Sequence, residues 1–348
     1  MSEKLFDYCL GNPPYQESSA GQKLMDKPVY HYFMDATYDV ADKVELITPG
    51  RFLFNAGATP GEWNRKMLED NHLKVLKYEA DARKVFPSTI FKGGVAITYH
   101  DCSGNYGAID TFTPYEELNS IKRKVYTSDG FQSIQDIIFI QNTFELEVLY
   151  TDHPEYTKII GSDGKERRIT SSIVRMLDVF TDKKISLNDI CIKGIVNGKR
   201  VDKWINRKYV RDNGNLTLWK VIIPKNNGSG AIGEVLSTPL IGEPIIGEPL
   251  IGISQSFISL GAFDSRGEAE CAMKYIKSKF SRALLGILKV TQNGSKNVYK
   301  YIPLQDFTPA SDIDWSKSIH EIDLQLYQKY GLSVEEIKFI EEKVKEMT

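Results

Sequence analysis

"DYCLGNPPYQ", residues 7–16, places an Asn-Pro-Pro-Tyr corner directly behind a short apolar run. The two prolines fix φ and remove two backbone donors, so the corner is stiff and its carbonyls project. Residues 6–10 read as a short buried strand that feeds it. Outward from there, residues 29–41 put Val29, Phe33, Ala36 and Val40 on one helical stripe. "KVELITPGRF" (43–52) is strand-like and stops at Pro49-Gly50, and 60–69 suits a helix with proline near its start. "LKVLKYEA" (73–80) and "GGVAITYH" (93–100) read as two more strands. Strand and helix alternate as in an open α/β sheet, but they make only half of one.

At 348 residues the chain has room for about two domains with cores of their own. The N-terminus lacks a signal-peptide layout, and apolar runs such as 283–288 are too short to cross a bilayer. Cys9, Cys102, Cys191 and Cys271 are scattered and none sits at metal spacing, so a reducing cytoplasm and no metal are expected. Net charge is only −2, yet charge is segregated. Nine basic residues fall between Lys193 and Lys225 against two acidic ones, and seven fall between Lys274 and Lys300 against none. Such stretches suit a surface facing a polyanion, or a solvated face.

Residues 111–260 change character, with short mixed strands and many Gly and Asn turns. The repeat "PLIGEPIIGEPLIGI" (239–253) has Pro and Gly too often for a helix. It reads as an extended loop or irregular edge strand, either a tolerated insertion or a ligand-touching loop. A single helix is expected from Asp264 to about Leu288. Capping-box spacings at Ser318/Glu321 and Ser333/Glu336 predict two last helices, separated by a stop at Gly331.

An amino group on an aromatic ring or an amide is a poor nucleophile because its lone pair is delocalised. Two acceptors gripping its N–H bonds favour a tetrahedral nitrogen with the lone pair free to attack a methyl carbon. The Asn12 carbonyl and the backbone carbonyl of Pro13 provide two such acceptors. Pro14 stiffens the corner, and Tyr15 offers a flat face for a planar substrate. A simple Pro-Pro strand exit is the competing reading of the tetrapeptide.

"FDYCLGNPPYQ" (6–16), "ITPGRFL" (47–53) and "FKGGVAITYHD" (91–101) resemble successive catalytic motifs of adenine-specific DNA methyltransferases of restriction–modification systems, in particular the Type IIG-like group. "WKVIIPK", "LGAFDSRGEAE", "KSKFSRALLGILKVTQNGSKNVYKYIPLQDF" and "YQKYGLSVEEIKFIEEKVKEM" resemble the C-terminal parts of the same group. The resemblance implies an α/β fold: a partial Rossmann-like methyltransferase sheet (1–110), an α+β DNA target-recognition domain (111–305) and a helical C-terminal tail (306–348). It implies methyl transfer from S-adenosylmethionine to the exocyclic amine of a flipped adenine in double-stranded DNA. By motif position Asn12 and Pro13 would hold the amine and Tyr15 would stack on the base. Phe91, or else Phe86, would supply the second stacking face. Lys220, Lys225, Arg282, Lys289, Lys296 and Lys300 are candidates for phosphate contacts, and Gln292 and Asn293 for base edges.

The chain departs from this family in one respect. The Gly-rich cofactor loop that precedes Asn-Pro-Pro-Tyr in such enzymes is missing, since only eleven residues stand before Asn12. "GSGAIG" (228–233) matches G-x-G-x-x-G, but the Pro-Gly repeat follows it where a helix is needed. "FNAGATPG" (54–61) is no better. A partner polypeptide carrying the cofactor half is therefore expected, unless the chain is a remnant. Two other readings stand beside the enzyme part: a DNA-recognition module without chemistry, and a methyltransferase for protein glutamine amides. The long basic, aromatic-studded chain after the corner argues against the last.

Overall fold

The run before Asn12 forms β1 (Phe6–Gly11), which lies parallel to β2 (Ala41–Pro49) with Tyr8 opposite Lys43 and Cys9 opposite Val44. Between them runs α1 (Tyr30–Val40). After β2 come α2 (Gly61–Glu69), β3 (Leu73–Glu79) and β4 (Val95–Asp101). β4 is antiparallel to both β2 and β3, and the order across the sheet is β1-β2-β4-β3. The computed structural model describes residues 4–17, 27–55, 59–87, 94–160, 167–226, 241–289 and 294–347.

Period-two alternation sorts this sheet into two unlike faces. Cys9, Val44, Leu46, Leu73 and Ala96 face a helical layer in which Tyr30, Met34, Trp63 and Met67 are buried. Full burial of a Val, Leu or Met among them contributes about 1.5–3 kcal/mol. Asp35 ties the two helices together: it accepts from Trp63 Nε1 at 3.0 Å and pairs with Lys66 Nζ at 2.8 Å. At the turn into β4, Gly94 has φ +68°, and a Cβ there would stand 2.6 Å from the Glu79 carbonyl.

Two sequence expectations fail here. β1 is a strand but is not buried: Phe6, Tyr8 and Leu10 are 59%, 64% and 75% exposed, on the face away from the helices. The buried stripe of α1 runs through Tyr30 and Met34, while Phe33 is exposed. The aliphatic count favoured Val29, Phe33, Ala36 and Val40, but the core selected the tyrosine and methionine one turn apart.

The chain divides into two units, 1–119 and 120–348. The division falls inside α3 (Glu116–Tyr126). Next come β5 (Ile138–Phe139), β6 (Thr143–Phe144), α4 (Leu146–Asp152), α5 (Ser171–Met176), β7 (Asp189–Val196), β8 (Lys199–Asn206) and β9 (Val210–Arg211). β10 (Trp219–Pro224), β11 (Ile245–Gly247), β12 (Ile251–Ile253) and β13 (Phe257–Phe263) follow. They build sheets ordered β11-β10-β13-β5, β12-β7-β8 and β6-β9. Phe144, Ile190, Ile192, Ile205 and Val210 belong to one core cluster there. The described part of the Pro-Gly repeat, 241–253, is built into this fold: β11 edges one sheet and β12 edges another.

The predicted long helix is two helices, α6 (Arg266–Lys277) and α7 (Lys279–Leu285), broken at Ser278, whose φ −58° and ψ 150° are not helical. Ser278 caps α7 by accepting from Ser281 N. Both capping boxes are present, at α8 (Ile319–Lys329) and α9 (Val334–Lys343), and Gly331 adopts φ +59° between them. α8 and α9 fall within the second unit: Asp323 of α8 accepts from Lys279 N and Phe280 N at the start of α7. Among the described residues no helix is long and apolar enough to cross a membrane.

Candidate active site

The corner projects from the carboxyl end of β1, where ligands of open α/β sheets bind. Its exit is stapled to the entry of α1: Val29 N donates to Tyr15 O at 3.1 Å and Glu17 N donates to Lys27 O at 3.0 Å. Asn12 and Pro14 are exposed, and Pro13 and Tyr15 are half-buried. No described residue is bonded to the Asn12 side chain, which is exposed to solvent.

Tyr15 packs against the helical-layer core, and Phe86 meets it edge-on, with ring centroids 6.3 Å apart and planes at 69°. Burial pushes the Tyr15 hydroxyl up to about 12, so at neutral pH it is an uncharged aromatic face. Of the two candidates for a second aromatic wall, Phe86 is beside Tyr15, whereas Phe91 lies outside the described residues. The sequence signal for Phe86 was its motif position just before the last strand of the sheet, where it stood second to Phe91.

A complete S-adenosylmethionine site does not fit the described residues. Such a site needs a glycine-rich turn between a strand and a helix N-terminus. In "FNAGATPG", Gly61 only opens α2, whose first turn carries Glu62, the wrong charge for the cofactor's carboxylate. "GSGAIG" lies outside the described residues. Among the described residues no cluster of three or more His, Cys, Asp or Glu could hold a metal ion.

Three phosphate-contact candidates are corrected by burial. Lys220, Arg282 and Lys289 each keep only 1% of their surface exposed. Lys220 Nζ donates to the carbonyls of Leu216 at 3.2 Å and Ile251 at 3.0 Å, and burial lowers it to about 8. Arg282 donates to the carbonyls of Lys277, at 2.9 Å, and Lys345. Lys220 and Arg282 thus join segments within the second unit. Lys296 and Lys300 are half-buried, the latter 5.1 Å over the Tyr301 ring. Lys225 is half-buried, and Gln292 and Asn293 lie outside the described residues.

The basic stretches are also less free than their local composition suggests. Lys193 pairs with Asp202, Lys203 with Asp182, Lys208 with Asp152 and Arg211 with Glu145. Lys277 pairs with Glu243 and Lys279 with Glu341. Most of those carboxylates come from outside the basic stretches.

Residues 1–86 match the family model described as Eco57I restriction-modification methylase. This first part of the chain is thus similar to restriction–modification methylases. The Type IIL restriction-modification enzyme MmeI, solved in complex with DNA, is structurally similar at 10% identity and a TM-score of 0.32, over 97% of this chain and 56% of that one. This chain therefore spans little more than half the length of that enzyme. No curated protein matches the chain.

Proposed function

We propose that this chain is the amine-binding and DNA-reading part of an adenine-specific DNA methyltransferase of a restriction–modification system, completed by a partner polypeptide that holds S-adenosylmethionine. The observation that carries the reading is the outward, unbonded Asn12 on a diproline corner flanked by the Tyr15–Phe86 pair. Asn12 Oδ1 and the Pro13 carbonyl accept the two N–H bonds of the flipped adenine's amine. Tyr15 offers its face to the base plane with Phe86 edge-on beside it, and the fixed corner keeps the nitrogen's lone pair aimed at the incoming methyl carbon. S-adenosylmethionine, when the partner brings it, supplies that methyl group.

The exposed β1 supports the partner. A parallel strand is ordinarily covered on both faces. Here Phe6, Tyr8 and Leu10 are open, and among the described residues β1 is paired on one edge only. A recognition module without chemistry is the second reading, favoured by the lack of a cofactor cradle among the described residues.

The test is transfer of labelled methyl from S-adenosylmethionine to duplex DNA, with N6-methyladenine read by mass spectrometry. The chain alone is expected to be inactive, and mixing with the cofactor-loop half of a related methylase restores transfer. Leu10→Asp, at an exposed site, leaves the fold intact and abolishes the restoration. Robust methylation by the chain alone would refute the partner, and label in a glutamine peptide instead of DNA would refute the substrate. In the complemented enzyme Phe86→Ala is expected to cost about 5- to 150-fold in kcat/KM, since an aromatic contact to the base is worth about 1–3 kcal/mol. Phe86→Leu separates lost stacking from lost packing.

A further inference from the structure

We propose that Arg168 and Lys225, brought together beside the turn at 254–256, form a binding site for the DNA sugar–phosphate backbone. This inference rests on the DNA reading above and assigns it a place in the second unit. Three segments distant in sequence are knitted there by short bonds. Gln255 N donates to Ile169 O at 2.9 Å, Lys225 N donates to Ser256 O at 2.9 Å, and the Ser171 and Ser256 hydroxyls are 3.1 Å apart. A fourth segment joins where Gly294 N donates to Lys225 O at 2.7 Å.

This framework leaves Arg168 exposed and Lys225 half-exposed on neighbouring segments. The neutral Gln141 side chain accepts from Lys225 Nζ at 3.4 Å. Among the described residues neither cation has a carboxylate partner, unlike Lys193, Lys203, Lys208 and Arg211 nearby in sequence. Burial, and to a lesser extent the Arg168 charge, holds the Lys225 ammonium below its ordinary value. Two like charges held together by the backbone, with hydroxyl donors at Ser171 and Ser256, are relieved by an anion placed between them. A phosphodiester suits that position, because it accepts from a guanidinium, an ammonium and hydroxyls at once.

The experiment measures affinity of the full chain for a random-sequence duplex of about 30 base pairs across a salt series. Duplexes of that length span more than a single-module footprint. Arg168→Ala and Lys225→Gln are each expected to weaken binding about 3- to 10-fold at low salt and to lower the salt slope by about 1. The exposed Lys338→Ala, on α9, leaves the slope unchanged. Thermal unfolding of each variant shows that the fold persists. Wild-type binding with slopes unaltered in both site variants overturns the site while leaving the DNA reading standing. A wild-type chain that binds no duplex at any salt overturns the DNA reading, and the site with it.

Discussion

Asn12→Ala is expected to lower kcat of the complemented methyltransferase by about a hundredfold to a thousandfold, the cost of removing one preorganised group from a developing charge, about 2.7–4 kcal/mol. The loss falls on kcat more than on KM, because the grip on the amine matters most as its lone pair is freed for attack. Stability is expected to change by less than about 0.5 kcal/mol, since Asn12 is exposed and its side chain is bonded to no described residue. Asn12→Asp keeps an acceptor of the same shape and adds a charge, and it is expected to retain more activity than alanine. The measurement is single-turnover methyl transfer beside thermal unfolding. Full activity in the alanine variant would remove Asn12 from the chemistry.

Arg282→Ala is expected to destabilise the second unit by about 3–5 kcal/mol, as removal of one member of a buried charged group does. Its guanidinium lies against α8 and the C-terminal end, donating to the carbonyls of Lys277 and Lys345 with the Asp323 carboxyl nearby. Without it both carbonyls lose a donor and Asp323 loses its cation. Burial already raises Asp323 to about 6, despite the two backbone N–H groups that favour its charged form. The native state therefore holds that proton more tightly than the unfolded chain does. The resulting stabilisation is complete below the ordinary carboxyl value of 3.8 and is lost as pH rises through about 6. The cost of Arg282→Ala is thus larger above pH 6, where Asp323 is charged, than well below it. Urea unfolding at two pH values checks this, and an equal cost at both would show that Arg282 and Asp323 are not coupled. Arg282→Met, which fills the space without a charge, is expected to cost less.

Sequence alone determined the elements that local chemistry can specify. The diproline corner, the four strands and two helices of the first unit, both capping boxes and the Gly331 stop all depend on torsional limits or bonds spanning a few residues. The turn that carries Asn12 directly after β1 was legible for the same reason. Whether β1 was buried was not legible, since an apolar strand looks alike in a covered sheet and at an open edge.

Only the tertiary structure decided which cations face outward. Charge along the chain counts neighbours in sequence, whereas ion pairing and burial depend on neighbours in space. Asp152, Asp182 and Glu145 reach Lys208, Lys203 and Arg211 from other segments. Packing took Lys220, Arg282 and Lys289 out of solvent. Arg168 gave no signal beyond its own charge until the fold set it near Lys225, through Gln255 N bonding to Ile169 O and Lys225 N bonding to Ser256 O, a neighbourhood that neither segment encodes by itself.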